Sequence, residues 1–489
     1  MSVRGAAVWA MAGQYASFVI QFSSSVIISR FFLSPAEVGI FSIGLAAALL
    51  VAVLQDFGLS RYISGLAVLD GAEVARCSSV ALLFSFVISG LIAASAWPMA
   101  LLYGQPSLFP ILLIIAASYL FTPLSVVPMA LMARTMQFRG HFAVNVGGAA
   151  AQLLVAVPLA AAGYSAFALA WATVAMGATR GLIAQAMRPA LPWPIRLDGM
   201  APVLNFGSRT SVLYLTGALG TRTPDLFVGK LLNVFAVGLY SRAVALTDQF
   251  RMLISGAIGS VFYPAFARIR DRGEPLGPAY LRVCAGYSAV VWPGMAGLAL
   301  ASEPIIRMLY GEAWIGTAPL LRMTAIAEIM LISLPLVSDL PILLGKLNRL
   351  LFLNIADTSL SIGLLALGCL WGVEGAAASR VVYAAIWLCI YGAFMHSLVR
   401  FDAGALAKLY FKSAVATMAA IAPLALAFLF WAPAAQTGFL TLIATTAIGG
   451  LFWLAALATL RHPALGELLA LGSSIKSSLW PVASSHKPE

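Results

Sequence analysis

Apolar runs of about 20 residues recur from end to end of the chain, parted only by short polar breaks. Wound as a helix at about 1.5 Å per residue, each run crosses the roughly 30 Å hydrocarbon core of a bilayer. With 61% of its 489 residues hydrophobic and 10% charged, the chain leaves no stretch polar enough to fold in water on its own. The period-two alternation that a membrane β-barrel needs is missing, whereas helices satisfy their backbone groups internally. The expectation is an all-α, polytopic membrane protein of about 14 transmembrane helices. Its spans open with 8–30, include a seventh and eighth at 205–229 and 237–262 and a tenth at 316–345, and close with 438–460.

The first run carries Gln14, Gln21 and Ser23 to Ser25 and outlasts a signal-peptide core, so it reads as an uncleaved span. Cys77, Cys284, Cys369 and Cys389 stand singly in apolar runs without the spacing of a metal site, and are expected to pack as small residues. A formal net charge of +11 invites a polyanion, yet the 29 basic residues are spread over short loops with no dense tract, which argues against nucleic acid. Topology accounts for the excess. With a cytoplasmic N-terminus, inner loops and termini collect Arg134, Arg139, Arg282, Arg400, Lys408 and Lys412 among others, while outer loops hold Arg30, Lys230 and Arg307. The expected location is the bacterial inner membrane, multi-pass, with both termini cytoplasmic.

Positions 29 to 42 resemble positions 229 to 241 once one gap is allowed. In each, a basic residue (Arg30, Lys230) ends a span, a turn follows, and glycine, an aromatic and serine open the next: Gly39, Phe41, Ser42 and Gly238, Tyr240, Ser241. Arg30 and Lys230 stand 200 positions apart, an offset that holds six spans, so the repeats run parallel about an axis along the membrane normal. The expected organisation is an N-terminal six-helix lobe over 1–200, a C-terminal six-helix lobe over 201–400, and two extra transmembrane helices with a cytoplasmic tail over 401–489. Two similar halves around a central cavity are the usual build of an alternating-access transporter.

Ionisable residues at membrane depth are costly and mark either pairing or function. They concentrate in the seventh span, with Arg209, Arg222 and Asp225, and the eighth, with Arg242, Asp248 and Arg251. Arg222 with Asp225, and Asp248 with Arg251, are spaced to share a helix face and partly neutralise each other, leaving Arg209, Arg242 and up to one of the paired arginines uncompensated. Surplus guanidinium in low dielectric suits phosphate or pyrophosphate, which it grips by forked, charge-assisted hydrogen bonds. The candidate substrate-binding set is therefore Arg209, Arg222, Asp225, Arg242, Asp248 and Arg251, with Arg30 and Gln21 from the first span. The alternative is that such arginines snorkel or tie helices together. Glu328 and Asp339 fall near one helical face of the tenth span and are candidates for proton or cation coupling, set against an ion pair of Glu328 with Arg322 or Arg380. No catalytic residue and no metal ligand set is expected.

Asp225-Leu-Phe-Val-Gly-Lys-Leu-Leu, Val237-Gly-Leu-Tyr-Ser-Arg-Ala and Val261-Phe-Tyr-Pro-Ala-Phe-Ala-Arg carry a family likeness, with Phe57-Gly-Leu-Ser-Arg-Tyr and Ala133-Arg-Thr-Met-Gln-Phe-Arg before them. Over roughly residues 1 to 400 the chain resembles the polysaccharide transporters, the Wzx-type flippases, of the multidrug, oligosaccharidyl-lipid and polysaccharide exporter superfamily. The resemblance implies two six-helix lobes around a cavity lined by the first, second, seventh and eighth spans. It also implies a flippase that carries an undecaprenyl-pyrophosphate-linked oligosaccharide repeat unit between leaflets, for exopolysaccharide or lipopolysaccharide synthesis. The implied partners are that lipid-linked oligosaccharide, membrane lipids, and polysaccharide polymerase and export machinery. No Walker motif is present, so no cofactor is expected and energy would come from an H+ or Na+ gradient or from consumption of the product. A multidrug cation antiporter of the same superfamily would call for acidic residues in the cavity. A membrane polysaccharide polymerase or glycosyltransferase would need a large outer loop with paired carboxylates, for which 302–315 is short.

Overall fold

The computed structural model describes residues 3–53, 59, 62–63, 69–191, 195, 198, 218–255, 259–431 and 433–466. Arg209, a candidate from the sequence, lies outside the described residues. The chain divides into two compact units: Met1–Arg242 with Leu309–Gly316 and Asn354–Ala376, and Ala243–Met308 with Thr317–Leu353 and Ala377–Glu489.

The first unit holds α1 (Val3–Phe31), α2 (Pro35–Ala52), α3 (Gly71–Tyr103), α4 (Leu108–Tyr119), α5 (Pro123–Arg134), α6 (Phe138–Ala161), α7 (Ala166–Met187), α8 (218–231) and the opening of α9 (Val234–Ser255). Helix α1 packs on α6, α6 on α7, and α4 on both α3 and α7. A capping box starts α2: the Ser34 hydroxyl accepts from the Glu37 N–H, the Glu37 carboxylate accepts from the Ser34 N–H, and Pro35 fills the first helical position. Asp70 caps α3 through the Glu73 N–H at 2.7 Å, and Gly104, with φ 61°, ends it. Pro123, which has no N–H to continue the ladder, divides one span into α4 and α5, bent by 42°.

The repeat seen in the sequence is packed against itself in this unit. A Cβ added at Gly39 would run into the Val234 carbonyl, and one added at Gly238 would run into the Pro35 carbonyl. Pro35 and Val234 each precede their glycine by four residues, so the contact is reciprocal, as a two-fold relation requires. Ser42 and Ser241, 199 apart, meet Oγ to Oγ at 3.2 Å. Asn233, the counterpart of Ser34, caps its helix by accepting from the Ala236 N–H at 2.8 Å.

The second unit holds the rest of α9, α10 (Gly259–Asp271), α11 (Leu276–Leu300), α12 (Ser302–Leu309), α13 (Thr317–Leu331), α14 (Asp339–Leu343), the start of α15 (Leu347–Gly368), most of α16 (Gly372–Val399), α17 (Ala403–Phe430) and α18 (Phe439–Thr459). Helix α11 packs on α13 and α17, and α17 on α18. A buried relay ties these helices: Ser288 Oγ to Ser413 Oγ at 2.8 Å and Ser413 Oγ to His462 Nε2 at 3.0 Å. The Trp453 Nε1–H donates to the Ala289 carbonyl at 2.8 Å. The tenth span expected over 316–345 is not one helix. It stops at Leu331 and restarts at Asp339, because Pro335 and Pro341 withhold two amide donors and Leu336 adopts φ 60°.

Among the described residues, eight helical stretches are long and apolar enough to cross a membrane, nine with the bent α4–α5 pair. The sequence suggests about 14; α15 and α16, joined by the short turn Cys369–Trp371, count together as one of the eight. Large apolar side chains face outward, with Leu154 70%, Phe352 72%, Phe430 83% and Leu440 81% exposed. A surface of that kind is stable only against lipid.

Candidate functional site

In the first unit α9 presents Arg242 to α1. Its Nη1–H donates to the Ser25 hydroxyl at 2.5 Å, and the guanidinium lies 5.9 Å from the Tyr310 ring centroid and 5.7 Å from that of Trp314. Trp314 is fully buried, and its indole N–H is fixed by the Ser29 carbonyl at 2.8 Å, so the aromatic wall is held by α1 itself. The Arg242 Nε–H has no hydrogen-bond partner, and among the described residues no carboxylate pairs with this side chain. Its charge is thus solvated by one hydroxyl and two ring faces, which leaves donors unused and a positive field uncancelled.

A cavity of about 540 Å³ opens in the same unit between α2, α4, α5 and α7. Ser118, Tyr119, Thr122, Ser125, Thr173 and Arg180 give it a polar wall. Ser118, Ser125 and Thr173 donate their hydroxyl hydrogens to carbonyls of their own helices, so their oxygens are left as acceptors. Arg180 reaches the wall from α7 over Gly148 of α6, where any Cβ would strike its Cγ, and its Nη2–H donates to Asn145 Oδ1 at 3.1 Å. The Arg180 Nε–H has no hydrogen-bond partner. A wall of hydroxyl acceptors beside one guanidinium is suited to a hydroxyl-rich, anionic ligand.

The sequence candidates divide between the units. Arg222 is exposed on α8; Asp225 is half-buried one turn away, and the two do not close into an ion pair. Gln21 is exposed on α1, and Arg30 ends that helix 5.8 Å from the Phe31 ring centroid.

In the second unit Asp248 and Arg251 do pair, at 3.2 Å, but Arg251 also reaches Glu328 of α13 at 2.9 Å, and Arg380 of α16 approaches the other Glu328 oxygen at 3.8 Å. Two guanidinium groups and two carboxylates cancel, so Arg251 is not a surplus cation, and Arg322, exposed on α13, is not the partner of Glu328. Asp339 opens α14 and is exposed, across the helix break from Glu328, so the two acids do not share a helical face. Sequence reading counts Arg180 among the buried charges but leaves it outside the cleft pair, because a lone arginine in an apolar run carries no periodic partner. The nearest signal is Asn145 and Gly148, three apart on α6, whose meaning depends on α7 packing there.

The chain matches the family described as "Polysaccharide biosynthesis protein" over residues 27–319. It is 24% identical to the succinoglycan biosynthesis transport protein ExoT of Rhizobium meliloti (strain 1021), covering 97% of this chain and 96% of that one. It is 21% identical to the lipopolysaccharide biosynthesis protein WzxC of Escherichia coli (strain K12) over 60% of each. Among solved structures, the lipid II flippase MurJ in its inward closed conformation superposes with a TM-score of 0.74 at 14% identity, covering 92% of this chain and 97% of that one, which is a likeness of fold.

Proposed function

Since the chain belongs to the polysaccharide biosynthesis protein family, we propose that it is a flippase for an undecaprenyl-pyrophosphate-linked oligosaccharide repeat unit in the bacterial inner membrane. No bond is made or broken on the protein. The observation that carries this reading is Arg242, a guanidinium held by a hydroxyl and two aromatic faces with no carboxylate among the described residues to neutralise it. A fixed positive charge in low dielectric favours an anion that arrives and leaves over an organic cation. Glu328 and Asp248 are already matched by Arg251 and Arg380.

In this reading the pyrophosphate is drawn by Arg242, Arg222 and Arg180, the sugar hydroxyls donate to the acceptor oxygens of the cavity wall, and the polyprenyl chain stays in lipid. The six-helix halves, 1–200 and 201–400, alternate access, with both termini on the cytoplasmic side. A negative-inside potential helps net negative charge move outward by about 2.3 kcal/mol per charge per 100 mV, alone or with an H+ or Na+ gradient in which Asp339 is the remaining acidic candidate. A polymerase and export machinery would take up the product.

The test is the wild-type protein in proteoliposomes, offered a lipid-pyrophosphate oligosaccharide, the same glycan on an uncharged polyprenol, and a lipophilic organic cation. Only the first is expected to change leaflets. Transport of the cation with none of the lipid-linked glycan would reverse the assignment.

A further inference from the structure

Helices α11 and α17 begin, and α18 has just ended, around a cleft of about 240 Å³ in the second unit. Arg282 of α11 and Lys408 and Lys412 of α17 line it with Leu281, Leu409 and Pro463. None of the three cations is in an ion pair among the described residues. Asp402, the nearby acid in sequence, is turned to its own helix, accepting from the Gly404 N–H at 2.8 Å. Lys412 gives one N–H to the Arg461 carbonyl at 3.4 Å, which uses a donor without cancelling charge. Lys408 and Lys412 are one turn apart on one helix face, an arrangement that repels unless a counter-charge lies between them.

The geometry points to an anionic phospholipid of the surrounding leaflet as that counter-charge, its phosphate held by Arg282, Lys408 and Lys412. A lipid, rather than a free phosphate, is indicated by what adjoins the cations. Phe411, between the two lysines, is 69% exposed, and Val415 and Met418 continue the exposed apolar stripe along α17, where an acyl chain would lie. A cleft of this volume is smaller than the pockets that engulf drug-sized ligands, so a sugar repeat unit has no room. The headgroup bridges α11 and α17 and gives the C-terminal helix pair a purpose independent of the transport reading: it anchors the second unit in an anionic leaflet.

The full chain in mild detergent is titrated separately with phosphatidylglycerol, phosphatidylethanolamine, undecaprenyl phosphate and inorganic phosphate. Melting temperature and, by native mass spectrometry, retained lipid are followed. Phosphatidylglycerol is expected to bind and raise the melting temperature, with affinity falling roughly fivefold for each charge removed in Arg282→Ala and Lys408→Ala. Phosphatidylethanolamine and inorganic phosphate are expected to do neither. Equal retention by the doubly substituted chain, or an equal effect of the zwitterionic lipid or of inorganic phosphate, overturns the proposal. So does preference for undecaprenyl phosphate, which would make the cleft a substrate site. If the alanine variants melt early without lipid, Arg282→Gln and Lys408→Gln, which keep the apolar stems, carry the same comparison. Flipping is scored in a separate assay, so failure of the transport reading and failure of this one are distinguishable.

Discussion

Arg242 and Arg251 share α9, nine positions apart, and differ in what surrounds the charge. Arg251 has Asp248 and Glu328, whereas Arg242 has Ser25 and two aromatic rings. Their roles separate by measurement. Glu328→Ala leaves Arg251 and Arg380 facing each other, and is expected to lower stability by about 2 kcal/mol in thermal melts, less than a fully buried pair loses, because the Arg251 side chain is 39% exposed. Arg242→Lys keeps the charge but loses the planar fork and the ring stacking, so transport should fall while melting changes little. That charge at Arg242 was legible in the sequence; the partner of Arg251 was not, since Glu328 lies on another helix 77 positions on.

His462, just beyond α18, is a third case. Its Nδ1 accepts from the Ala464 N–H at 3.2 Å, so Nε2 carries the hydrogen that Ser413 accepts. Burial, then the Lys412 charge, holds its pKa below the ordinary 6.5. The neutral ring is therefore favoured by folding: its contribution is complete above pH 6.5 and is lost as pH falls through the lower folded-state value. Amide protection factors in α17 and α18, corrected for the intrinsic exchange rate at each pH, should fall as pH drops below 6.5 in wild type and lose that dependence in His462→Asn.

At the scale of elements, the crossing of α2 and α9 depends on having no side chain at two positions. Gly39→Ala or Gly238→Ala forces a methyl group against a backbone carbonyl, which is expected to cost about 1–3 kcal/mol in melting experiments. The double substitution should cost less than the sum, because one crossing is opened once. The sequence shows the two copies as equivalents through glycine, aromatic and serine, but equivalence does not say that the copies touch; that needs the reciprocal contacts of Pro35 and Val234. The gap between α13 and α14 was hidden for a different reason. Hydropathy averaged over 316–345 stays high across it, since Leu334, Leu336 and Val337 are as apolar as the helices they separate.

For the molecule as a whole, lipid as solvent follows from the apolar runs alone, and both the helical class and the outward apolar faces agree with it. Charge at depth was a weaker guide. It marked α8 and α9, but Asp248 and Arg251 proved to belong to an internal ion-pair network, and Arg180 of α7, a buried charge, was left outside the cleft. What remains is a positive first unit bearing Arg180, Arg222 and Arg242, and transport of a lipid-linked pyrophosphate is the use we assign it. The most direct measurement is leaflet exchange of lipid-linked oligosaccharide in proteoliposomes holding wild type, Arg180→Ala or Arg242→Ala at matched protein content. The account predicts that each substitution slows exchange about tenfold or more, as loss of a charge-assisted contact implies. Exchange at the wild-type rate in both variants would contradict it.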